Sequence, residues 1–286
     1  MARGRPTRIA IALVITTVAV ATTAELAGAL KKITNDIDVG PGSAGGAGLF
    51  CGQKGELVSG GFTMPVLPGP SGPRLFPYAT PFLVSAANFG DQVGTVTAIG
   101  YCSKDGPKLK KEKKKTNVPP GDTGSVTAKC PKGKRVMMGG FEAPEPLPGA
   151  APPEFGIYPF TSKRTGTRHW KVSGFADIQG ADPEEQFLRA LAFCYSRGPS
   201  LSVKSKQTTV ADGDTGAVQA KCAQGKESVA GGFKSKADGA GAATSYARPF
   251  VSKKTGKRGW KVEAFGEGRG NSPLKAYAYC APAGAL

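Results

Sequence analysis

The chain has 286 residues, of which 41 are glycine, 23 proline and six cysteine, and it carries a net charge of +17. So many chain breakers exclude a mainly helical protein and suit short strands joined by tight turns. The charge favours anionic partners (nucleic acid, acidic polysaccharide, wall phosphate polymers or anionic lipid) and says little about fold.

Residues 1–24 read as an export signal. Arg3, Arg5 and Arg8 form a basic start, and Ile9 to Ala24 is uncharged and apolar, with small-residue exits at Ala19-Val-Ala21, Thr22-Thr-Ala24 and Ala27-Gly-Ala29. The apolar run is shorter than the roughly 20 residues a spanning helix needs, so a cleaved signal peptide is expected, with an uncleaved N-terminal anchor as the alternative. Both export the rest, because the arginines stay on the cytoplasmic side. Residues 25–38 follow as a linker. The stretch from Lys31 to Gly48, and Gly40 to Gly48 above all, reads as a flexible lead-in.

A repeat then sets the architecture. Cys51, Cys130 and Cys222 each precede a Gly-Gly-Phe, at Gly60-Gly-Phe62, Gly139-Gly-Phe141 and Gly231-Gly-Phe233, and each unit closes on a further cysteine, Cys102, Cys194 or Cys280. The boundaries are 39–107, 108–199 and 200–286. Units two and three begin alike. Val118-Pro-Pro-Gly-Asp-Thr-Gly-Ser-Val-Thr-Ala-Lys-Cys130 matches Val210-Ala-Asp-Gly-Asp-Thr-Gly-Ala-Val-Gln-Ala-Lys-Cys222. This predicts a turn, then a strand that turns Val126 and Ala128, or Val218 and Ala220, inward. A second strand ends in Gly-Gly-Phe, whose paired glycines point to a bulge or a close backbone approach and whose Phe points to the core.

Beyond the Phe, Pro65 to Pro81 and Pro144 to Pro153 read as extended, solvated loops, replaced in unit three by Asp238 to Ala243. The units converge at Tyr78-x-x-Pro-Phe82, Tyr158-Pro-Phe160 and Tyr246-x-x-Pro-Phe250. Units two and three then form a hairpin with tips at Ser162 to Gly166 and Ser252 to Gly256, returning through Trp170-Lys-Val172 and Trp260-Lys-Val262. The tip glycines are expected to supply a positive φ. Unit one is expected to lack this hairpin, leaving Phe82 to match either Phe250 or Trp260. A strand of alternating small and aromatic residues closes each unit, and another near Leu109 or Leu201 leads into the next. The fold class is all-β: three tandem antiparallel units of five or six strands, as small sandwiches or as a pseudo-three-fold prism.

Six cysteines in an exported chain read as three disulfides. Cys51–Cys102, Cys130–Cys194 and Cys222–Cys280 would staple each small unit. The other arrangement pairs Cys102 with Cys130 and Cys194 with Cys222, which are equally spaced, and leaves Cys51 to meet Cys280.

Chemistry-bearing residues are sparse. Asp122-Thr-Gly124 and Asp214-Thr-Gly216 resemble the paired triplets of aspartic proteases, but turn residues rather than a hydrophobic strand precede each, so a turn is the expected role. His169, the one histidine, cannot build a zinc site or a Ser/His/Asp triad. No cofactor or metal is expected. Cations are abundant. Lys108, Lys110, Lys111, Lys113, Lys114 and Lys115 form one run. Lys163, Arg164, Arg168 and Lys171 surround Trp170, and Lys253, Lys254, Lys257, Arg258 and Lys261 surround Trp260. Such groups suit phosphate or sulfate polymers, although the tryptophans themselves alternate like core residues and the lysine run could merely protect a sheet edge.

The run Cys130-Pro-Lys-Gly-Lys-Arg-Val-Met-Met-Gly-Gly-Phe141, with Trp170-Lys-Val172 and the closing Ala190-Leu-Ala-Phe-Cys194, resembles a repeat of secreted bacterial proteins of unknown function. The resemblance implies one cysteine pair within each unit and brings no catalytic residues; unit one departs from it, with Gly52 in place of proline and no Trp. In plan alone the tripled β-units resemble the vitelline membrane outer layer proteins, which implies a three-sided prism. The expected function is that of an exported, secreted or cell-surface, non-enzymatic protein that binds an anionic envelope or extracellular polymer. One alternative is a structural or protein-binding surface protein whose charge only confers solubility; a remote one is an aspartic-type hydrolase.

Overall fold

The computed structural model describes residues 30–52, 55–65, 75–80, 83–88, 91–144, 157–176, 186–236, 246–267 and 270–286. The expected signal segment, most of the two proline-rich loops and the loop at Asp238 to Ala243 lie outside the described residues.

Among the described residues, eighteen strands fall into three sets of six. The first holds β1 (Lys31–Val39), β2 (Ala44–Gly48), β3 (Glu56–Thr63), β4 (Leu75–Thr80), β5 (Leu83–Asn88) and β6 (Gly94–Ser103). The second holds β7 (Lys110–Asn117), β8 (Thr123–Lys129), β9 (Arg135–Glu142), β10 (Ile157–Arg164), β11 (His169–Ala176) and β12 (Phe187–Tyr195). The third holds β13 (Ser202–Val210), β14 (Thr215–Lys221), β15 (Lys226–Lys234), β16 (Tyr246–Thr255), β17 (Gly259–Glu267) and β18 (Ser272–Pro282). In every set the sixth strand pairs antiparallel with the first and third, and the fifth with the second and fourth. The two layers pack face to face. Cys51–Cys102, Cys130–Cys194 and Cys222–Cys280 each close one unit. Loops of this length contribute about 4 kcal/mol each in the chain-entropy account.

Sheets also continue from one unit into another. β3 pairs β16 at Phe62 and Ser252, and β15 pairs β10 at Phe233 and Ser162. Two six-stranded sheets result, β1-β6-β3-β16-β17-β14 and β13-β18-β15-β10-β11-β8. The remaining layers, β7-β12-β9 and β2-β5-β4, meet where β4 packs against β9 without a shared ladder. The units are therefore sandwiches and prism walls at once: each lends one layer to each neighbour around a pseudo-three-fold axis.

The Gly-Gly-Phe triplets converge on that axis. A bulge at Val58, Met137 or Val229 precedes each triplet and re-aims the strand. A Cβ on Gly139 or Gly231 would overlap the indole of Trp170 or Trp260 from the same unit. One on Gly61 or Gly232 would overlap the Ser252 or Ser162 carbonyl of the neighbouring unit. Phe62, Phe141 and Phe233 are buried, and Phe141 meets Phe233 edge-on at 6.4 Å. They leave a hollow of about 30 Å³, room for a water rather than a ligand.

A tyrosine hydroxyl marks two of the junctions. Tyr101 accepts the Lys254 main-chain N–H at 3.0 Å, and Tyr279 accepts that of Arg164 at 2.6 Å. Burial pushes the Tyr101 phenol up to about 12 and the Tyr279 phenol higher still. In unit two this position is Phe193, which carries no hydroxyl.

Unit one corrects the sequence reading in four places. The supposed lead-in and linker form β1 and β2; β1 pairs with β6 along its whole length, and β2 is a strand despite three glycines because β5 and the layer beneath hold it. Unit one does have the hairpin, as β4–β5, in a stretch expected to be a loop. The Asn88, Ala176 and Gly266 amides donate to the Ser43, Asp122 and Asp214 carbonyls, an alignment that puts position 82 with Trp170 and Trp260, although residues 81 and 82 lie outside the described part. The true counterpart of Tyr158-Pro159-Phe160 and Arg248-Pro249-Phe250 is Phe76-Pro77-Tyr78, since Pro77, Pro159 and Pro249 face Ala86, Gly174 and Ala264. At the longer tips, Gly256 takes a positive φ of 58° and Gly166 does not.

Replacing Tyr279 with Phe leaves a buried amide without its acceptor and should cost about 1–3 kcal/mol, read from urea unfolding of the oxidised protein. A change below about 0.5 kcal/mol would mean the hydroxyl is not what joins these units.

Candidate functional site

The hairpin cations were expected to form an exposed patch around two tryptophans. Trp170 and Trp260 are buried, and each indole N–H donates to Ser162 or Ser252 Oγ at 3.1 Å. Much of the charge around them is engaged within the protein. Arg164 is itself buried, a correction to the expected exposed patch: its Nε donates to the Gly166 carbonyl at 2.7 Å, and burial lowers its pKa. Arg168 donates through Nε and Nη2 to the Cys130 carbonyl at 3.0 and 2.8 Å, and Arg258 through Nε to the Cys222 carbonyl at 2.9 Å. Each guanidinium thus pins the hairpin tip to the first cysteine of its unit.

The lysines divide. Lys254 lies 3.8 Å from Glu227; burial is the larger influence and lowers its pKa, and the carboxylate opposes it. Glu227 also accepts the Gly284 N–H at 3.2 Å. Lys163 donates to the Tyr277 hydroxyl at 3.2 Å and lies over that ring, and Lys261 pairs with Glu263. Lys171 and Lys253 are half-buried. Of the nine hairpin residues only Lys257 is exposed.

The lysine run has a different setting. Lys108, Lys110, Lys111, Lys113, Lys114 and Lys115 are all exposed, and β7 is the outermost strand of its layer. Because successive side chains point to opposite faces, Lys111, Lys113 and Lys115 form one row and Lys110 and Lys114 the other. Lys110 pairs with Glu112 at 3.3 Å. The Lys115 ammonium lies 4.4 Å from the centre of the Phe187 ring, which the Arg189 guanidinium also approaches at 4.9 Å. Phe187 and Arg189 were not expected among the site residues, although Arg189 opens the closing strand; the visible signal was an aromatic and a cation at the head of a strand otherwise built of Leu, Ala, Phe, Cys and Tyr.

Pairing with β12, β6 and β18 makes β7, β1 and β13 equivalent. β7 holds five lysines and one glutamate, β13 two lysines, and β1 two lysines offset by two aspartates. Lys113-Lys-Lys115 stands where the others have Ser205-Lys-Gln207 and Thr34-Asn-Asp36. The strand geometry does not call for that charge.

Asp122 and Asp214 are exposed, on the outermost strands' approaches to two different six-stranded sheets. Their amides donate to the Pro119 and Ala211 carbonyls at 3.0 and 3.2 Å, across Gly121 and Gly213 at positive φ, a turn that demands glycine at its third position. Ser43 after Gly42 makes the same turn in unit one, so no carboxylate is needed for it. His169 is half-buried at the start of β11. Among the described residues no three His, Cys, Asp or Glu side chains cluster as a metal site, and no helix is long and apolar enough to cross a membrane. Comparison with protein-family models and with characterised proteins finds no match to this chain.

Arg258→Gln should lower stability by about 1.5–3 kcal/mol, the range for hydrogen bonds to charged groups, while leaving retention on heparin unchanged. Weakened retention at intact stability would return Arg258 to the ligand-facing set.

Proposed function

We propose that this is an exported protein of the cell surface or its surroundings that binds an anionic polymer through the outer strand β7. The carrying observation is that five exposed lysines, Lys110, Lys111, Lys113, Lys114 and Lys115, project from both faces of one strand, whereas the equivalent strands of the same chain do without them. Two faces of cations suit a flexible chain of phosphate, sulfate or carboxylate groups that can wrap an edge. Lys108 continues the track, and Lys257 is the one hairpin cation of the nine that is exposed.

The charge-as-protection reading meets an internal comparison. β13 lies at an equivalent edge with two lysines and with Val203 47% exposed, so protecting an edge of this scaffold takes far less charge than β7 carries. Three disulfides support an oxidising compartment, and the basic, then apolar, N-terminus supports export. The secreted bacterial repeat proteins resembled by unit two are consistent with both.

Binding of this kind releases counterions, so affinity should fall linearly with salt on a logarithmic plot. Replacing Lys113, Lys114 and Lys115 with Gln should reduce that slope by about 2–3 for a phosphate polymer, measured by titration with polyphosphate over a salt series. An unchanged slope would transfer the function to another surface; salt-independent binding by the wild type would remove the polyanion reading altogether.

A further inference from the structure

Units two and three fill the same place with opposite chemistry. Five residues after the first cysteine stand Glu56, Arg135 and Glu227. Glu227 faces Ala281 across its strand pair and Arg135 faces Tyr195, in each case the residue after the closing cysteine. On the hairpins, Arg164 faces Trp170 as Lys254 faces Trp260, and their main-chain amides donate to Tyr279 and Tyr101. In unit three this placement produces the buried ion pair of Lys254 with Glu227. In unit two it brings one guanidinium near another.

Arg164 is only 7% exposed. Its Nε donates to the Gly166 carbonyl at 2.7 Å and its Nη1 to the Leu201 carbonyl at 3.4 Å. Both acceptors are neutral, and a guanidinium has more N–H groups than these two satisfy. The ionisable groups acting on Arg164 are Tyr195, Tyr279 and Arg135. Neither phenol supplies a negative charge, since burial pushes both above their ordinary value. Tyr195 donates its proton to the Pro199 carbonyl at 2.6 Å, and Arg135 lies beside that hydroxyl. Among the described residues neither arginine has an ion-pair partner. A buried cation without a counter-charge is costly, and a second cation nearby adds to the cost.

We propose that an oxyanion of the phosphate or sulfate class binds between Arg164 and Arg135, in the place that the Glu227 carboxylate takes in unit three. Planar guanidinium forks match the oxygen edges of such groups. The carbonyl contacts of Arg164 hold its guanidinium in place before the ion arrives, and Arg135, which is exposed, opens the site to solvent. The site takes one anionic group, supplied either by a free ion or by the end of a chain. It is independent of the polymer track on β7.

Urea unfolding of the full exported protein, with its disulfides intact, tests it over a series of inorganic phosphate against chloride at equal ionic strength. The wild-type midpoint should rise with phosphate and saturate, because an anion that binds only the folded state stabilises it by mass action. The general stabilisation by phosphate, through its exclusion from protein surface, does not saturate and is common to all variants. Arg135→Glu supplies the unit-three carboxylate from within the chain. It should raise the midpoint in chloride alone and raise the half-saturating phosphate concentration by about tenfold or more. Arg135→Gln should raise that concentration without the gain in chloride. Replacing Lys113, Lys114 and Lys115 with Gln should leave the saturating response intact. A short polyphosphate titrated in parallel separates a chain end from a free ion, according to which of the two saturates at the lower concentration. A wild type with no saturating response to either anion overturns the proposal, as does a response that survives Arg135→Glu. A response lost with the β7 lysines instead also overturns it.

Discussion

The architecture depends on the three Gly-Gly-Phe junctions, where Gly61, Gly139, Gly231 and Gly232 leave no room for a side chain. At the Gly-Gly-Phe junctions the first glycine of units two and three lies beneath the tryptophan of its own unit, and the second glycine of units one and three lies against the strand of a neighbour. Close packing leaves almost no tolerance for added atoms. A methyl group at Gly231 would lift an indole, and one at Gly232 would push two units apart. Because the bulge just before each pair re-aims the strand, the phenylalanines arrive together on the axis. Three sandwiches that would each be small and marginal alone thereby share two continuous sheets and one core.

This arrangement explains where the charge goes. Shared sheets bring hairpins of one unit against closing strands of the next, so the Arg164 and Lys254 main-chain amides meet Tyr279 and Tyr101 and the Lys163 ammonium meets Tyr277. The Arg164 guanidinium turns to the Gly166 carbonyl and the Lys254 ammonium to Glu227. Arg168 and Arg258 are taken up closer to home, by cysteine carbonyls. A cation bound to a carbonyl or held beside a buried carboxylate has no freedom to follow a ligand. The outer strand β7 pairs on one side only, and its lysines stay exposed, although Lys110 pairs with Glu112 and Lys115 lies over the Phe187 ring. Unit-by-unit comparison then separates scaffold from decoration: the turn, the bulge, the disulfide and the buried valines recur, whereas the lysines of β7 and the arginines at 135 and 164 occur once.

Legibility followed the density of local signal. Units two and three alternate apolar and polar residues, and Val126, Ala128, Trp170 and Val172 are buried as that period requires. Unit one was misread because Ala44-Gly-Gly-Ala-Gly48 has no period and a proline-rich stretch hides β4. Those strands exist because β5 and the layer below hold them, and that information is not local. The lysine run was plain in the sequence, but its value as a site was not, since exposure depends on which strand becomes outermost.

By itself the sequence determined the all-β class, the triplication, the cysteine partners favoured within each unit and the burial of the tryptophans, because turns, period-two alternation and spacing act over a few residues. Only the tertiary structure decided that the sheets are shared between units, which cations are anchored and which remain on the surface. The reason is physical. Those outcomes rest on contacts such as Ser162 with Phe233 and the Arg168 guanidinium with the Cys130 carbonyl, between residues far apart along the chain, and no local pattern encodes which distant strand will arrive beside another.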